Sequence, residues 1–234
     1  MIRKLIRTLL YAALRPVALW YMRSERRVSF EGLELVVKPG VFPPGPFFTT
    51  KYLIDALREA DLRGKTLLEL GAGSGLISLW CARRGAVVTA TDISPAAVAT
   101  IEDNIRANLA ELDAGGGPPR VLLSDLFDEL PRAPFDFMVI NPPFYPRDPR
   151  TMAERAWFCG KNFEYFEKLF RQIGDYLQPE TRVLMALSED CDIPQIREIA
   201  RRNALALRLE KRKRFFVEDE FIFSLRPQPG PRGD

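Results

Sequence analysis

The sequence predicts an α/β fold: a mainly parallel, seven-stranded sheet with helices on both faces, a C-terminal antiparallel strand pair, and an N-terminal helix and hairpin extension. Three observations carry that expectation. Short apolar runs of strand length alternate with segments of helical periodicity from about residue 49 onward. The first of these runs, Thr66–Leu70, empties into three alternating glycines, Gly71, Gly73 and Gly75. The last two runs, residues 205–217 and 221–225, have only Glu218, Asp219 and Glu220 between them, which is hairpin spacing rather than crossover spacing.

The chain divides into an extension over residues 1–48, a domain over 49–226 and a disordered tail over 227–234. In the extension, Ile2, Leu5, Ile6, Leu9, Leu10 and Ala13 recur at helical spacing, with Arg3, Lys4 and Arg7 off that face. Arg15 interrupts the apolar stretch, so it reads neither as a signal peptide nor as a bilayer span. Two readings stay open for residues 1–27: a helix packed on the domain, or a basic amphipathic segment on an anionic membrane surface or on RNA. The expected location is cytoplasmic, with peripheral attachment to the inner face of the membrane as the alternative.

Residues 28–37 predict a hairpin turning at Glu31-Gly32. Pro39, Pro43, Pro44 and Pro46 then exclude regular structure, and Phe42, Phe47 and Phe48 ride on that stiffened loop, as a cover for the core or a lid over a ligand. Thr49 or Thr50 is placed to cap a helix through about Ala60, with Tyr52, Leu53, Ala56 and Leu57 inward. Further helices follow at 76–84, from Ser94-Pro95 along a stripe of Val98, Ile101, Ile105, Leu109 and Leu112, at 163–177, and from Asp190 or Asp192 to Asn203. Lys211, Arg212, Lys213 and Arg214 read as a solvated strand edge.

A strand, a glycine turn and a helix N-terminus together make a nucleotide-type site at the carboxyl edge of a parallel sheet. Glycine serves there because it takes φ > 0 and lets a ligand approach the backbone. A dinucleotide fingerprint wants its third glycine at position 76, where this chain has Leu76. The second strand ends at Asp92, an acid placed to accept from ribose hydroxyls. Asp125 follows the third strand and can either accept from an exocyclic amine or cap the next turn.

Composition narrows the chemistry. There are no histidines, which removes His-based acid–base catalysis and His-containing metal sites. Cys81, Cys159 and Cys191 have no Cys-x-x-Cys spacing and read as buried thiols in a reducing compartment; no metal is expected. A net charge of +3 carries no global nucleic-acid signature.

The fourth strand runs directly into Asn141-Pro142-Pro143-Phe144. Two prolines after a buried strand fix a rigid turn. A held Asn141 side chain beside the Pro142 carbonyl offers two acceptors for an –NH₂ group, and Phe144 offers a flat face for stacking. Arg147, Arg150, Arg155, Trp157 and Phe158 then interleave charge and aromatic rings, as a substrate-contacting or a solvated loop.

Glu69 through Gly75, Asp92, Ser124-Asp125 and Asn141 through Phe144, in that order and each at a strand's carboxyl end, resemble the S-adenosylmethionine (SAM) dependent methyltransferases of Rossmann-like fold, small-domain group. That group carries an Asn-Pro-Pro-aromatic motif and includes release-factor glutamine, ribosomal-RNA guanine-amino and tRNA adenine-amino methyltransferases. The resemblance covers about residues 40–225. It implies SAM as cofactor, bound by Glu69, Gly71, Ala72, Gly73, Gly75, Asp92, Ile93, Asp125, Leu126 and Asn141. It further implies Asn141, Pro142 and Phe144 as catalytic residues, with Phe144 and Tyr145 against the substrate. The acceptor stays open among protein glutamine, a base in RNA or DNA, and a small metabolite. The competing classes are a noncatalytic SAM-binding protein, an NAD(P)-dependent oxidoreductase and a membrane-surface methyltransferase of a small molecule.

Overall fold

Nine strands and six α-helices occur among the described residues of this computed structural model, which are 23–44, 48–113, 116–215 and 218–228. The proposed N-terminal helix and the chain beyond Gln228 fall outside them. Strands β1 (Arg26–Phe30) and β2 (Leu33–Val37) form the expected antiparallel hairpin. Its turn residues Glu31 and Gly32 both have positive φ, 50° and 87°, as a tight two-residue connection requires.

The remaining seven strands are β3 (Thr66–Leu70), β4 (Val87–Asp92), β5 (Arg120–Leu123), β6 (Phe137–Ile140), β7 (Arg182–Ser188), β8 (Leu205–Phe215) and β9 (Glu218–Pro227). They lie in the order β5-β4-β3-β6-β7-β9-β8, parallel except for β9, which runs antiparallel to both of its neighbours. β3 sits between β4 and β6, and its residues alternate between two cores: Leu67 joins one apolar cluster around Trp80, Leu68 and Leu70 the other around Phe166 and Phe170. No helix among the described residues is long and apolar enough to cross a membrane.

Helices α1 (Phe48–Leu57), α2 (Leu76–Arg83), α3 (Pro95–Ala107), α4 (Leu109–Asp113), α5 (Glu164–Ile173) and α6 (Ile193–Arg202) cover the sheet. Ser94 and Asp192 act as N-caps, accepting from Ala97 N and Gln195 N, each with proline in the first turn. Three expectations need correction. Helix α1 starts at Phe48 and ends at Leu57, so Thr49 and Thr50 lie in its first turn instead of capping it. The stripe from Val98 to Leu112 is interrupted at Asn108, and Leu109 turns outward at 43% exposure. Glu218, Asp219 and Glu220 belong to β9 and not to the turn; Asp219 is buried and takes Arg212 and Arg214 from the exposed basic run.

Asn108 stands at the break between α3 and α4, and its side chain bonds the hairpin. Glu34 N donates to Asn108 Oδ1 at 3.0 Å and Asn108 Nδ2 donates to Glu34 O at 2.8 Å. Asn104, one turn earlier, does the same for Val36: Val36 N reaches its Oδ1 at 2.8 Å and its Nδ2 reaches Val36 O at 2.9 Å. Two amides on one helix face thus imitate a neighbouring strand for the open edge of β2. Asn104 Nδ2 also donates to Ser74 O at 2.9 Å, which ties the hairpin to the glycine turn. Asn104→Ala strands three backbone groups, each worth about 1–3 kcal/mol when buried and unpaired. Denaturant unfolding should show a loss of at least about 2 kcal/mol, with faster amide exchange at Val36 and little change at Leu68. Unaltered protection at Val36 would mean that apolar packing alone docks the hairpin.

Candidate active site

Strand register assembles the site. Leu70 pairs with Thr91 on one side and with Ile140 on the other, and Asp92 pairs with Leu123. Neighbouring strands lie about 4.8 Å apart. The residues that leave the sheet together at its carboxyl edge are therefore Gly71, Asp92, Ser124-Asp125 and Asn141.

The glycine turn is held from below, where Gly71 N and Ala72 N both donate to Thr91 O at 2.9 Å. Gly71, Gly73 and Gly75 all have positive φ, at 71°, 56° and 79°. They do different work. Gly71 is exposed and a Cβ built on it meets nothing within 4 Å, so open space lies in front of it. Gly75 is buried, and a Cβ there would stand 3.0 Å from Ile101 Cγ2, so it permits α2 and α3 to pack closely. Gly73 lies under the proline-rich loop, with Phe42 O at 3.8 Å from the same imagined atom.

Two acids serve the turn. Asp92 Oδ2 accepts from Gly73 N at 2.9 Å and Oδ1 from Ser94 N at 2.8 Å, with Ile93 partly buried between. Burial raises its pKa, and the backbone N–H groups of Ser94, Gly73 and Ile93 oppose that rise. Glu69 is buried, and its Oε2 accepts from Ser78 N at 2.8 Å and from the Ser78 hydroxyl. The first turn of α2 is thereby pinned to β3.

Asp125 and Asp128 share Lys168 of α5, whose Nζ lies 2.8 Å from Asp125 Oδ2 and 2.6 Å from Asp128 Oδ2. Ser124, not Asp125, caps the following turn: its Oγ accepts from Glu129 N and donates to Leu126 O. Leu126 is buried and takes a left-handed φ of 57°, strained for a residue with a branched side chain. Tyr165, also on α5, is partly buried; burial pushes its phenol up, and the charges of Asp92 and Asp125 add to that.

Asn141 is partly buried, and no described residue bonds to its side chain or to the Pro142 carbonyl. Phe144 packs against the α5 side of the core with its ring 4.6 Å from that of Tyr145. Tyr145 is anchored through its backbone, donating to Trp157 O at 3.1 Å and accepting from Cys159 N at 3.0 Å. Those bonds fold the 145–160 loop back on itself. They also bring Trp157 to Phe42, ring centroids 5.1 Å apart, so the proline-rich loop and the loop after Phe144 meet above Gly73.

Strand register and the Gly73–Asp92 bond set Gly71, Gly73, Asp92 and Asn141 at one level of the sheet's carboxyl edge, with Asp125 after the next strand and Phe144 in the loop that follows Asn141, and Glu69 and Gly75 lie beneath the turn as supports. Sequence reasoning missed Tyr165 and Lys168, since a partner 40 residues from Asp128 leaves no local pattern. Open space before a bare glycine, flanked by acceptor carboxylates at two adjacent strand ends, fits a nucleoside with ribose hydroxyls and an exocyclic amine. The sheet order and this site define a Rossmann-like SAM-dependent methyltransferase domain. The methyltransferase small domain model matches residues 32–203, and the chain belongs to that family.

The ribosomal RNA small subunit methyltransferase C of Chromohalobacter salexigens is 30% identical over 186 residues, covering 78% of this chain and 49% of that protein. The release factor glutamine methyltransferase of Gloeobacter violaceus is 33% identical over 143 residues, covering 55% and 47%. Among solved structures, the T. thermophilus 16S rRNA N2 G1207 methyltransferase in complex with AdoMet and guanosine superposes with a TM-score of 0.58 at 21% identity, covering 86% of this chain and 50% of that one. The chain spans about half the length of the curated relatives it matches.

Burial lifts the Glu69 carboxyl from 4.5 to about 8, against the two Ser78 bonds and with a contribution from Asp92. Between those values the native state keeps a proton that the unfolded chain has released, so stability falls as pH rises through that window. Thermal unfolding of the ligand-free protein should show Glu69→Gln gaining on the wild type from pH 5 to pH 8. Parallel pH profiles for the two proteins would place an ionised Glu69 in the core instead.

Proposed function

We propose that this protein transfers a methyl group from SAM to the nitrogen of a planar amine or amide, either a protein glutamine side chain or the amino group of a nucleic-acid base. The observation that carries this reading is the Leu70–Ile140 pair, which sets Asn141 beside Gly71 with its side chain and the Pro142 carbonyl unused by the fold. Relatives named for ribosomal RNA and for release-factor glutamine support both acceptor classes.

In this reading Gly71, Ala72 and Gly73 line the methionine end of the donor. Asp92 and Ile93 hold its ribose; Asp125 and Leu126 hold the adenine. Glu69 and Gly75 keep the turn in shape from below. The donor supplies a methyl group on a positively charged sulfur, already activated for transfer. The chain's own work is alignment. Asn141 Oδ1 and the Pro142 carbonyl accept the two hydrogens of the acceptor –NH₂, which orients the nitrogen lone pair outward and stabilises positive charge developing on nitrogen. Phe144 stacks on the acceptor plane and Tyr145 borders it. The N–C bond forms as the methyl–sulfur bond breaks, S-adenosylhomocysteine leaves, and the methylated nitrogen then gives up its extra proton to water, so no histidine is needed as a base before transfer.

Asn141→Ala should lower kcat by roughly 10²-fold while changing the Kd for SAM less than about threefold. Equal losses in both would assign Asn141 to the fold. Incubating the protein with tritiated SAM and lysate from a strain lacking it, then separating protein, nucleic acid and small molecules, identifies the acceptor class. Label in one fraction that disappears with Asn141→Ala is the expected result. SAM binding without label in any fraction would overturn the catalytic reading.

A further inference from the structure

Helix α5 follows the Asn141–Phe144 loop and lays Tyr165, Lys168 and Gln172 along one face at helical spacing. That face borders the segment between β5 and β6. Gln172 Nε2 donates to Asp128 Oδ1 at 2.7 Å, while Lys168 Nζ takes Asp128 Oδ2 at 2.6 Å and Asp125 Oδ2 at 2.8 Å. The lysine is the most covered of the three charges, 24% exposed against 44% for Asp125 and 41% for Asp128. Between the two acids stands Leu126 in its left-handed conformation, and the chain reversal there lets both carboxylates face one cation. Nothing among the described residues bonds to the other Asp125 oxygen, Oδ1.

We infer that Lys168 is a positioning residue for cofactor recognition: held by Asp128, which Gln172 fixes in turn, it holds one oxygen of Asp125 so that the other meets the exocyclic amine of adenine. The inference rests on the assignment of Asp125 to the adenine ring. An Asp on an exposed turn otherwise samples several rotamers, and each must be given up when the base binds. Lys168 removes that cost in advance and leaves Oδ1 as the acceptor. Its Nζ donates a hydrogen bond to Asp128 Oδ2 and forms an ion pair with Asp125 Oδ2, so the cation that holds Asp125 is itself fixed from the helix side. The strained Leu126 is consistent with a turn shaped for a ligand and not for ease of folding.

The test compares two ligands on the full chain by isothermal titration: S-adenosylhomocysteine and its 6-deamino analogue, which has C–H where adenine has its amine. Wild-type protein should favour the amine-bearing ligand by about tenfold, the size of one charge-assisted hydrogen bond. Lys168→Met should reduce that preference below about threefold, through weaker binding of S-adenosylhomocysteine alone, and Lys168→Arg should restore most of it. Lys168→Met with the wild-type ratio, or with equal loss for both ligands, would overturn the role of Lys168. A wild type that does not distinguish the ligands, together with an Asp125→Asn variant that binds both as the wild type does, would instead remove Asp125 from the adenine site. The two failures are therefore separable.

Discussion

Everything in the site depends on the parallel pairing of β3 with strands on both sides. Leu70 has Thr91 and Ile140 as lateral neighbours, so three different chain segments leave the sheet at one level. A slip of one residue in either pair would turn every side chain of that strand to the opposite core and carry Asn141 or Asp92 out of line with Gly71. The register is protected because β3 is buried on both faces, with Leu67 in one core and Leu68 and Leu70 in the other. The geometry of the site is thus a consequence of core packing.

The layer above the turn is attached by polar contacts instead. Asn104 and Asn108 complete the backbone bonding of β2, and Asn104 reaches Ser74 as well. The hairpin, the loop that leaves it at Lys38 and the glycine turn therefore share one side chain as a fixed point. From that anchor the loop places Phe42 over Gly73 and against Trp157. The aromatic contact joins segments more than a hundred residues apart.

Charge around the site falls into two kinds. Glu69 is buried, burial disfavours its ionised form, and Ser78 supplies the hydrogen bonds that make a buried carboxyl tolerable. Asp125 and Asp128 lie nearer to water and are ordered by one lysine. The first arrangement maintains the turn; the second orders the segment after β5 at the sheet's carboxyl edge.

The short apolar runs, the three glycines, the capping Ser94 and the choice of Asp190 or Asp192 for the last helix start were legible in the sequence, because each is a local preference of backbone or side chain that needs no distant partner. The same local logic failed where a partner on another element competed. The helix expected to run on to Leu112 breaks at Asn108, whose amide bonds Glu34 74 residues away, and Glu218 to Glu220 joined a strand in which Arg212 and Arg214 pair with Asp219 across the hairpin. Which glycine faces open space and which one packs under Ile101, and that Lys168 belongs with Asp125, were decided only by tertiary structure. Such roles depend on which atoms arrive from elsewhere in the chain, whereas strand, turn and cap depend on residues within one or two turns of each other.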